Sequence, residues 1–162
     1  MKCSVCDGVE MQESVETLPY EGSGLESIIL DGVRVWRCPK CGEWEMAIPR
    51  IEGLHRSLAK HLARRPEKLG PREIRFLRKY LGLSSTDFAR RVGVDKATVS
   101  RWERVDQPMA MNPQMERLLR VLVLSEKPIE TYPLEEMAAQ DASSEAMRWA
   151  LGARGWKRKG AA

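Results

Sequence analysis

The sequence predicts an α+β protein that is mostly α, with a small β-rich module, a linker helix, an all-α domain and a helical C-terminal extension. All four cysteines lie within the first 41 residues, where short apolar runs alternate with turn residues. From residue 50 onward, apolar side chains instead recur at helical spacing. A chain of 162 residues has room for two small domains. We therefore divide it into residues 1–49, 50–68, 69–126 and 127–162.

Charge is distributed unevenly along the chain. The net charge is +4, but residues 1–50 carry 5 basic and 9 acidic side chains, a net of −4. Residues 51–130 carry 17 basic and 10 acidic side chains, a net of +7. The middle segment is therefore suited to a polyanion such as nucleic acid. The acidic first segment would be repelled by DNA, and it suits a basic protein partner or is simply a solvated acidic face.

The N-terminal segment contains two paired cysteine motifs, Cys3-Ser-Val-Cys6 and Cys38-Pro-Lys-Cys41. This spacing lets a tight turn direct both sulfurs of a pair at one ion. The 31 residues between the pairs contain the turn sequences Glu21-Gly-Ser-Gly24 and Asp31-Gly32. They are typical of antiparallel strands joined by hairpin turns. The sequence therefore predicts a zinc-ribbon-like module.

Such a module has few large apolar side chains and needs a metal or a disulfide to fold. The chain shows neither a signal peptide nor a run of about 18 apolar residues, so we expect a cytoplasmic protein, in which disulfides are rare. We predict one structural Zn²⁺ bound by Cys3, Cys6, Cys38 and Cys41. Iron in a rubredoxin-like site and a redox dithiol are the alternatives. Four cysteine ligands leave no position for a catalytic water, and we expect no enzyme.

An amphipathic helix is predicted after Pro49 and ends at Pro66. Its apolar side chains recur at helical spacing, at Ile51, Leu54, Leu58 and Leu62. The helix could join the two domains, pack on either of them or help to form a dimer. His55 and His61 lie six residues apart, which is not the spacing of a helical metal pair, and we interpret both as surface histidines.

Residues 70–124 have the pattern of a helical domain. Gly70-Pro71 starts a first helix, because proline suits the first helical position. Ser84 and Asp95 are suitable N-caps for a second and a third helix, separated by the turn Gly93-Val-Asp95. Asn112-Pro113 opens a further, strongly apolar helix that should close the core and could contribute to a dimer surface.

The predicted third helix has two different faces. Lys96, Ala97, Ser100 and Arg101 fall on a small and polar side, whereas Thr98, Val99 and Trp102 fall on an apolar side. A DNA recognition helix needs this division, since one face anchors it to its domain while small residues let the other enter the major groove. The pattern predicts a helix-turn-helix domain of the five-helix type.

The C-terminal extension is less regular. Residues 134–151 are predicted to form a helix, followed by a basic end, Arg154-Gly-Trp-Lys-Arg-Lys159. We interpret this extension as a partly ordered helix with a disordered basic tail. A DNA-contacting arm is the alternative.

Two stretches of the helical domain resemble the lambda-repressor/Cro-like helix-turn-helix family. They are Gly82-Leu-Ser-Ser-Thr-Asp-Phe-Ala89 and Gly93-Val-Asp-Lys-Ala-Thr-Val-Ser-Arg-Trp-Glu103. With the preceding Met1-Lys-Cys-Ser-Val-Cys6, Leu18-Pro-Tyr20 and Arg37-Cys-Pro-Lys-Cys-Gly42, the chain resembles the MqsA/YgiT-type antitoxins. Gln107-Pro108 and Leu118-Leu-Arg-Val-Leu122 continue the likeness, which covers roughly residues 1–125.

The resemblance implies a dimeric repressor of its own toxin-antitoxin operon, whose zinc domain binds a ribonuclease toxin. It places the zinc ligands at the four cysteines and a base-reading arginine at Arg101. A base-reading asparagine of the family falls at Ala97, so the operator should differ.

We expect Arg101 to donate to guanine and Lys96, Ala97, Thr98 and Ser100 to complete the groove surface on a palindromic operator. We expect Arg90, Arg91 and Arg104 to hold phosphates. A stand-alone zinc-containing helix-turn-helix regulator without a toxin partner is the alternative.

Overall fold

The structure, a computed structural model, describes residues 1–6, 8–125, 149–152 and 155–158. The chain divides into two compact units, Met1–Tyr132 and Pro133–Ala162. Among its described residues, the first unit contains three strands and five helices: β1 Gln12–Pro19, β2 Ile29–Arg37, β3 Trp44–Ala47, α1 Ile51–Arg64, α2 Pro71–Tyr80, α3 Ser85–Val92, α4 Lys96–Trp102 and α5 Pro113–Leu124. These elements confirm the predicted fold class. None of the described helices is long and apolar enough to cross a membrane.

The three strands form one antiparallel sheet in the order β1-β2-β3, with β2 in the centre. The predicted turn at Glu21–Gly24 is present, since the Gly24 N–H donates to the Glu21 carbonyl at 2.8 Å. The predicted turn at Asp31-Gly32 is wrong, because both residues lie inside β2. The pairing shifts register there, and Gly32 adopts a φ of 73°. Glycine therefore marks a β-bulge, in which one strand carries an extra residue, rather than a chain reversal.

The five helices enclose one hydrophobic core. Its most deeply buried side chains come from all five helices and include Ala59, Ile74, Leu77, Phe88, Val99, Trp102 and Leu119. The sequence left open what α1 packs against, and the structure places its inner face, Ala59, Leu62 and Ala63, in this core. Helix α1 is thus the fifth helix of the helical domain.

Helix α1 is held to α5 by Arg120. This guanidinium donates to the carbonyls of Leu62 and Ala63 at 3.1 and 3.3 Å, and also to the carbonyls of Arg65 and Glu67. The last carbonyls of a helix have no partners within it and carry partial negative charge, so a cation there is favourable. Arg120 also donates to the Glu116 carboxylate at 2.7 Å, which fixes its orientation.

The predicted caps set the ends of three helices. Ser84, Asp95 and Asn112 each accept a hydrogen bond from the backbone N–H three residues ahead, at 3.0, 2.8 and 2.8 Å. Gly93 has a left-handed conformation, with φ 72°, and ends α3. Helices α3 and α4 are thus joined by a short turn, as predicted.

The loop between β1 and β2 packs against the helical domain. Leu25 belongs to the helical core, and the Tyr20 hydroxyl lies 2.8 Å from His55 Nε2 on α1. The His55 ring makes an edge contact with Phe76 of α2, with ring centroids 5.8 Å apart. The interpretation of His55 as a surface residue is therefore wrong, because the tyrosine approaches from a distant loop. His61 is exposed, as predicted.

The second unit contains an antiparallel hairpin of β4, Trp149–Gly152, and β5, Gly155–Arg158. The helix predicted over residues 134–151 is wrong at its end, where Trp149 begins a strand; residues 126–148 lie outside the described residues. The disordered tail is likewise wrong over β5. Glycines at the facing strand ends and tryptophans in both strands favour this hairpin.

Candidate metal centre and nucleic-acid interface

The four cysteines converge on one point although 31 residues separate the two pairs. Their sulfur atoms all lie within 4.8 Å of one another, and the Sγ atoms of Cys3 and Cys41 are 3.7 Å apart. Tetrahedral zinc with Zn–S bonds of about 2.3 Å needs sulfurs about 3.8 Å apart. The cluster therefore has the size and ligand type to hold a metal ion.

The backbone conformation of the two cysteine turns positions the sulfur atoms. The Cys6 N–H donates to Cys3 Sγ at 3.4 Å, which closes the first turn. In the second turn the Gly42 N–H donates to the Cys38 carbonyl at 3.0 Å, with Gly42 at φ 75°. A left-handed residue lets the chain fold back beneath its sulfurs, and glycine adopts that conformation without strain.

The pKa values of Cys38 and Cys6 are shifted in opposite directions by their surroundings. The Cys41 backbone N–H lowers the pKa of Cys38 to about 7. A hydrogen bond with the Cys41 side chain, followed by burial, raises the pKa of Cys6 to about 12. Four sulfurs in contact cannot all ionise without a cation to offset their charge, and a bound divalent ion supplies it.

The hydrophobic cluster around the sulfurs is small. Cys3, Met11 and Cys38 are buried together, with Cys6, Val9 and Trp36 packed at the side. This cluster buries little apolar area compared with the helical core. Metal–sulfur bonds would therefore supply much of the stabilisation of the module.

Helix α4 has the two faces that the sequence predicts. Val99 and Trp102 are buried, with 0% and 2% of their surfaces exposed. Lys96, Ala97, Ser100 and Arg101 are exposed, and Thr98 is half-buried. The outer face is therefore small enough for close approach to another molecule.

Two hydroxyl groups on α4 are already engaged. Thr98 Oγ1 donates to Asp95 Oδ2 at 2.9 Å, and Ser100 Oγ donates to the Lys96 carbonyl at 3.1 Å. The backbone N–H of Thr98 is the main cause of the lowered pKa of Asp95, which keeps this cap ionised. Within the described ranges, the Arg101 guanidinium makes no hydrogen bond or ion pair. Arg101 therefore presents its donors to solvent.

The other predicted contact residues lie near the ends of α3 and α4. Arg90 is exposed and donates to Asp87 at 3.0 Å, whereas Arg91 is half-buried. Arg104 is exposed just beyond α4.

A buried ion pair that the sequence pattern did not predict holds α4 in place. Arg78 of α2 donates twice to the Glu103 carboxylate, at 2.6 and 2.9 Å, and once to the Leu83 carbonyl. Arg75 adds bonds to the Glu103 carboxylate and backbone, at 3.2 and 3.1 Å. Arg78 follows Ile74 by four residues and so lies on the buried face of α2. This spacing is the feature of the sequence that indicates a buried arginine.

Comparison with known proteins gives the same family as the sequence motifs. A family model described as the antitoxin component of a bacterial toxin-antitoxin system, MqsA, matches residues 1–128. Comparison with curated proteins and with solved structures gave no significant match. The matched segment covers both the cysteine cluster and all five helices. The chain therefore belongs to the MqsA antitoxin family.

Proposed function

We propose that this protein is a cytoplasmic antitoxin that neutralises a cognate ribonuclease toxin and represses its own operon. The observation that carries the proposal is a family match across both the cysteine module and the helical domain. In this proposal the chain is a homodimer that binds a palindromic operator and catalyses no reaction.

DNA binding is supported by the outer face of α4. The buried side of the helix fixes it to the domain through Val99 and Trp102, so the exposed side can enter a major groove as a rigid unit. Arg101 would donate in bidentate fashion to guanine O6 and N7. Arg90, Arg91 and Arg104 would contact phosphates, which position the domain without reading sequence.

The metal in this proposal is one Zn²⁺ with a structural role, held by Cys3, Cys6, Cys38 and Cys41. The sulfur spacing fits tetrahedral zinc, and four protein ligands leave no open coordination position. A metal analysis that gives one zinc per chain supports this assignment, and bound iron with visible colour contradicts it.

Toxin binding is assigned to the cysteine module. Residues 1–50 carry a net charge of −4, and four thiolates on one Zn²⁺ make the module more negative still. Such a surface attracts a basic protein and is repelled by DNA, which separates the tasks of the two halves.

Binding to the DNA upstream of the protein's own gene tests the repressor role. We expect Arg101→Ala to weaken specific binding by about 1 to 3 kcal/mol and to leave binding to random DNA nearly unchanged. Arg34→Ala is the matched control, because Arg34 is an exposed arginine of the acidic module and should have little effect on either. Equal losses on both DNAs would make Arg101 a phosphate contact.

Co-expression with a small basic protein encoded beside this gene tests the antitoxin role. Rescue of growth together with a stable complex supports it. Specific DNA binding without rescue or complex would instead identify a stand-alone helix-turn-helix regulator.

A further inference from the structure

We infer that α4 reads a half-site in which a guanine and a thymine lie one or two base pairs apart, with the Ala97 methyl group packed against the thymine 5-methyl. This inference rests on the proposed DNA binding and adds the base that Ala97 selects.

The side-chain donors on the exposed face of α4 favour contact with guanine. The hydroxyl of Ser100 has one O–H donor, and it is committed to the Lys96 carbonyl. Thr98 commits its own O–H to Asp95. Arg101 and Lys96 therefore supply the side-chain donors on this face, and both suit guanine O6 and N7.

On this face, adenine and cytosine can be contacted only through single bonds accepted by the Ser100 and Thr98 hydroxyl oxygens, since no side chain of α4 supplies their bidentate or charged partner. Adenine is read by a bidentate asparagine or glutamine, and α4 contains neither. Cytosine is read by a carboxylate, but the Asp95 carboxylate accepts from both the N–H and the hydroxyl of Thr98. Beside Lys96, the first turn of α4 presents the exposed methyl group of Ala97 to a groove.

Thymine is the base that carries an apolar group in the major groove. Packing the Ala97 methyl on the thymine methyl removes apolar surface from water at both partners. Against adenine or guanine, the same methyl would instead cover the N7 acceptor and leave it without a hydrogen bond. The Ala97 position therefore selects for thymine.

Helix geometry sets the distance between the two bases. Residues 97 and 101 are four apart, so their Cβ atoms lie about 5 to 6 Å from each other on one face. Base pairs are spaced about 3.4 Å along the axis. If Arg101 is placed over guanine, Ala97 falls over a base pair one or two steps away.

Replacement of each thymine in the selected operator by deoxyuridine tests the inference, because it removes only the 5-methyl group. One buried methyl group corresponds to about a fourfold change in affinity. We expect the wild-type protein to lose about fourfold at one thymine within two base pairs of the guanine. Replacement of the more distant thymines should have little effect.

Two variants assign that loss to Ala97. Ala97→Gly should bind thymine and deoxyuridine equally at this position, and Gln114→Gly, which introduces the same residue at an exposed position of α5, should keep the difference. Ala97→Asn should change the preferred base at this position from thymine to adenine, a gain that misfolding cannot produce.

The role of Ala97 and the proposed DNA binding are overturned by different results. A specific site without sensitivity to the thymine methyl, or unchanged selection by Ala97→Asn, overturns the Ala97 assignment alone. Absence of any sequence-specific site overturns the proposed DNA-binding function and this inference with it.

Discussion

Replacing Glu103 by glutamine should strongly destabilise the helical domain. The Arg78 and Glu103 side chains are 8% and 6% exposed, so the pair is shielded from water. Glu103→Gln keeps the size of the side chain but leaves Arg78 as a buried cation without its counter-charge. Loss of one partner of a buried pair costs about 3 to 5 kcal/mol. Since Arg78 retains the Leu83 carbonyl, we expect the lower end, about 3 kcal/mol.

Urea unfolding followed by circular dichroism at 222 nm measures this effect. For a small domain with a denaturant slope of about 1 to 3 kcal/mol/M, the midpoint should fall by about 1 to 3 M. Glu26→Gln is the matched control, because Glu26 pairs with Arg72 at 2.7 Å but is 73% exposed. An exposed ion pair contributes at most about 1 kcal/mol.

A double substitution separates charge burial from packing. Arg78→Met with Glu103→Leu removes both charges and should recover much of the stability lost in Glu103→Gln, because no uncompensated charge is left buried. Equal, small effects of Glu103→Gln and Glu26→Gln would refute the reasoning that burial makes this pair important.

Three further predictions concern the N-terminal module. Removal of the metal by a chelator should abolish amide-exchange protection in the three-stranded sheet while α2–α5 stay protected, and equal loss in both regions would contradict a local role of the metal. The hydrogen bond from Arg37 is the main cause that lowers the pKa of Glu16 to about 2. The stabilisation of the folded state by this pair is therefore present above about pH 4.5 and is lost as the pH falls toward 2. An NMR titration of Glu16 checks this, and an ordinary value near 4.5 would contradict it. Tyr20→Phe should cost about 1 kcal/mol in urea unfolding through loss of the bond to His55, whereas no change would show that this bond is not formed in solution.

Local signals made much of the fold predictable. Ser84, Asp95 and Asn112 each bond to a backbone group three residues away, so neighbouring sequence is enough to identify them. The two cysteine pairs could also be identified from the sequence, because a short turn fixes the spacing of the two cysteines in each pair. The split faces of α4 followed from helical periodicity alone.

Contacts between residues far apart in the sequence could not be predicted from neighbouring residues. Arg78 and Glu103 are 25 residues apart, and either charge alone looks like an ordinary surface residue. His55 is half-buried because a tyrosine 35 residues earlier reaches it. Glycine suits both turns and bulges, and which of the two forms at Gly32 depends on the residues that pair across the sheet.

The Arg120 contacts determine where the helical domain can be separated from the rest of the chain. A fragment cut at residue 69 would remove the carbonyl partners of this guanidinium and the buried α1 side chains Ala59, Leu62 and Ala63 from the helical core. A transferable helical domain must therefore start ahead of Ile51. Any foreign N-terminal module joined there must also supply an apolar side chain in place of Leu25. Without it, the part of the helical core that Leu25 covers would be exposed to water.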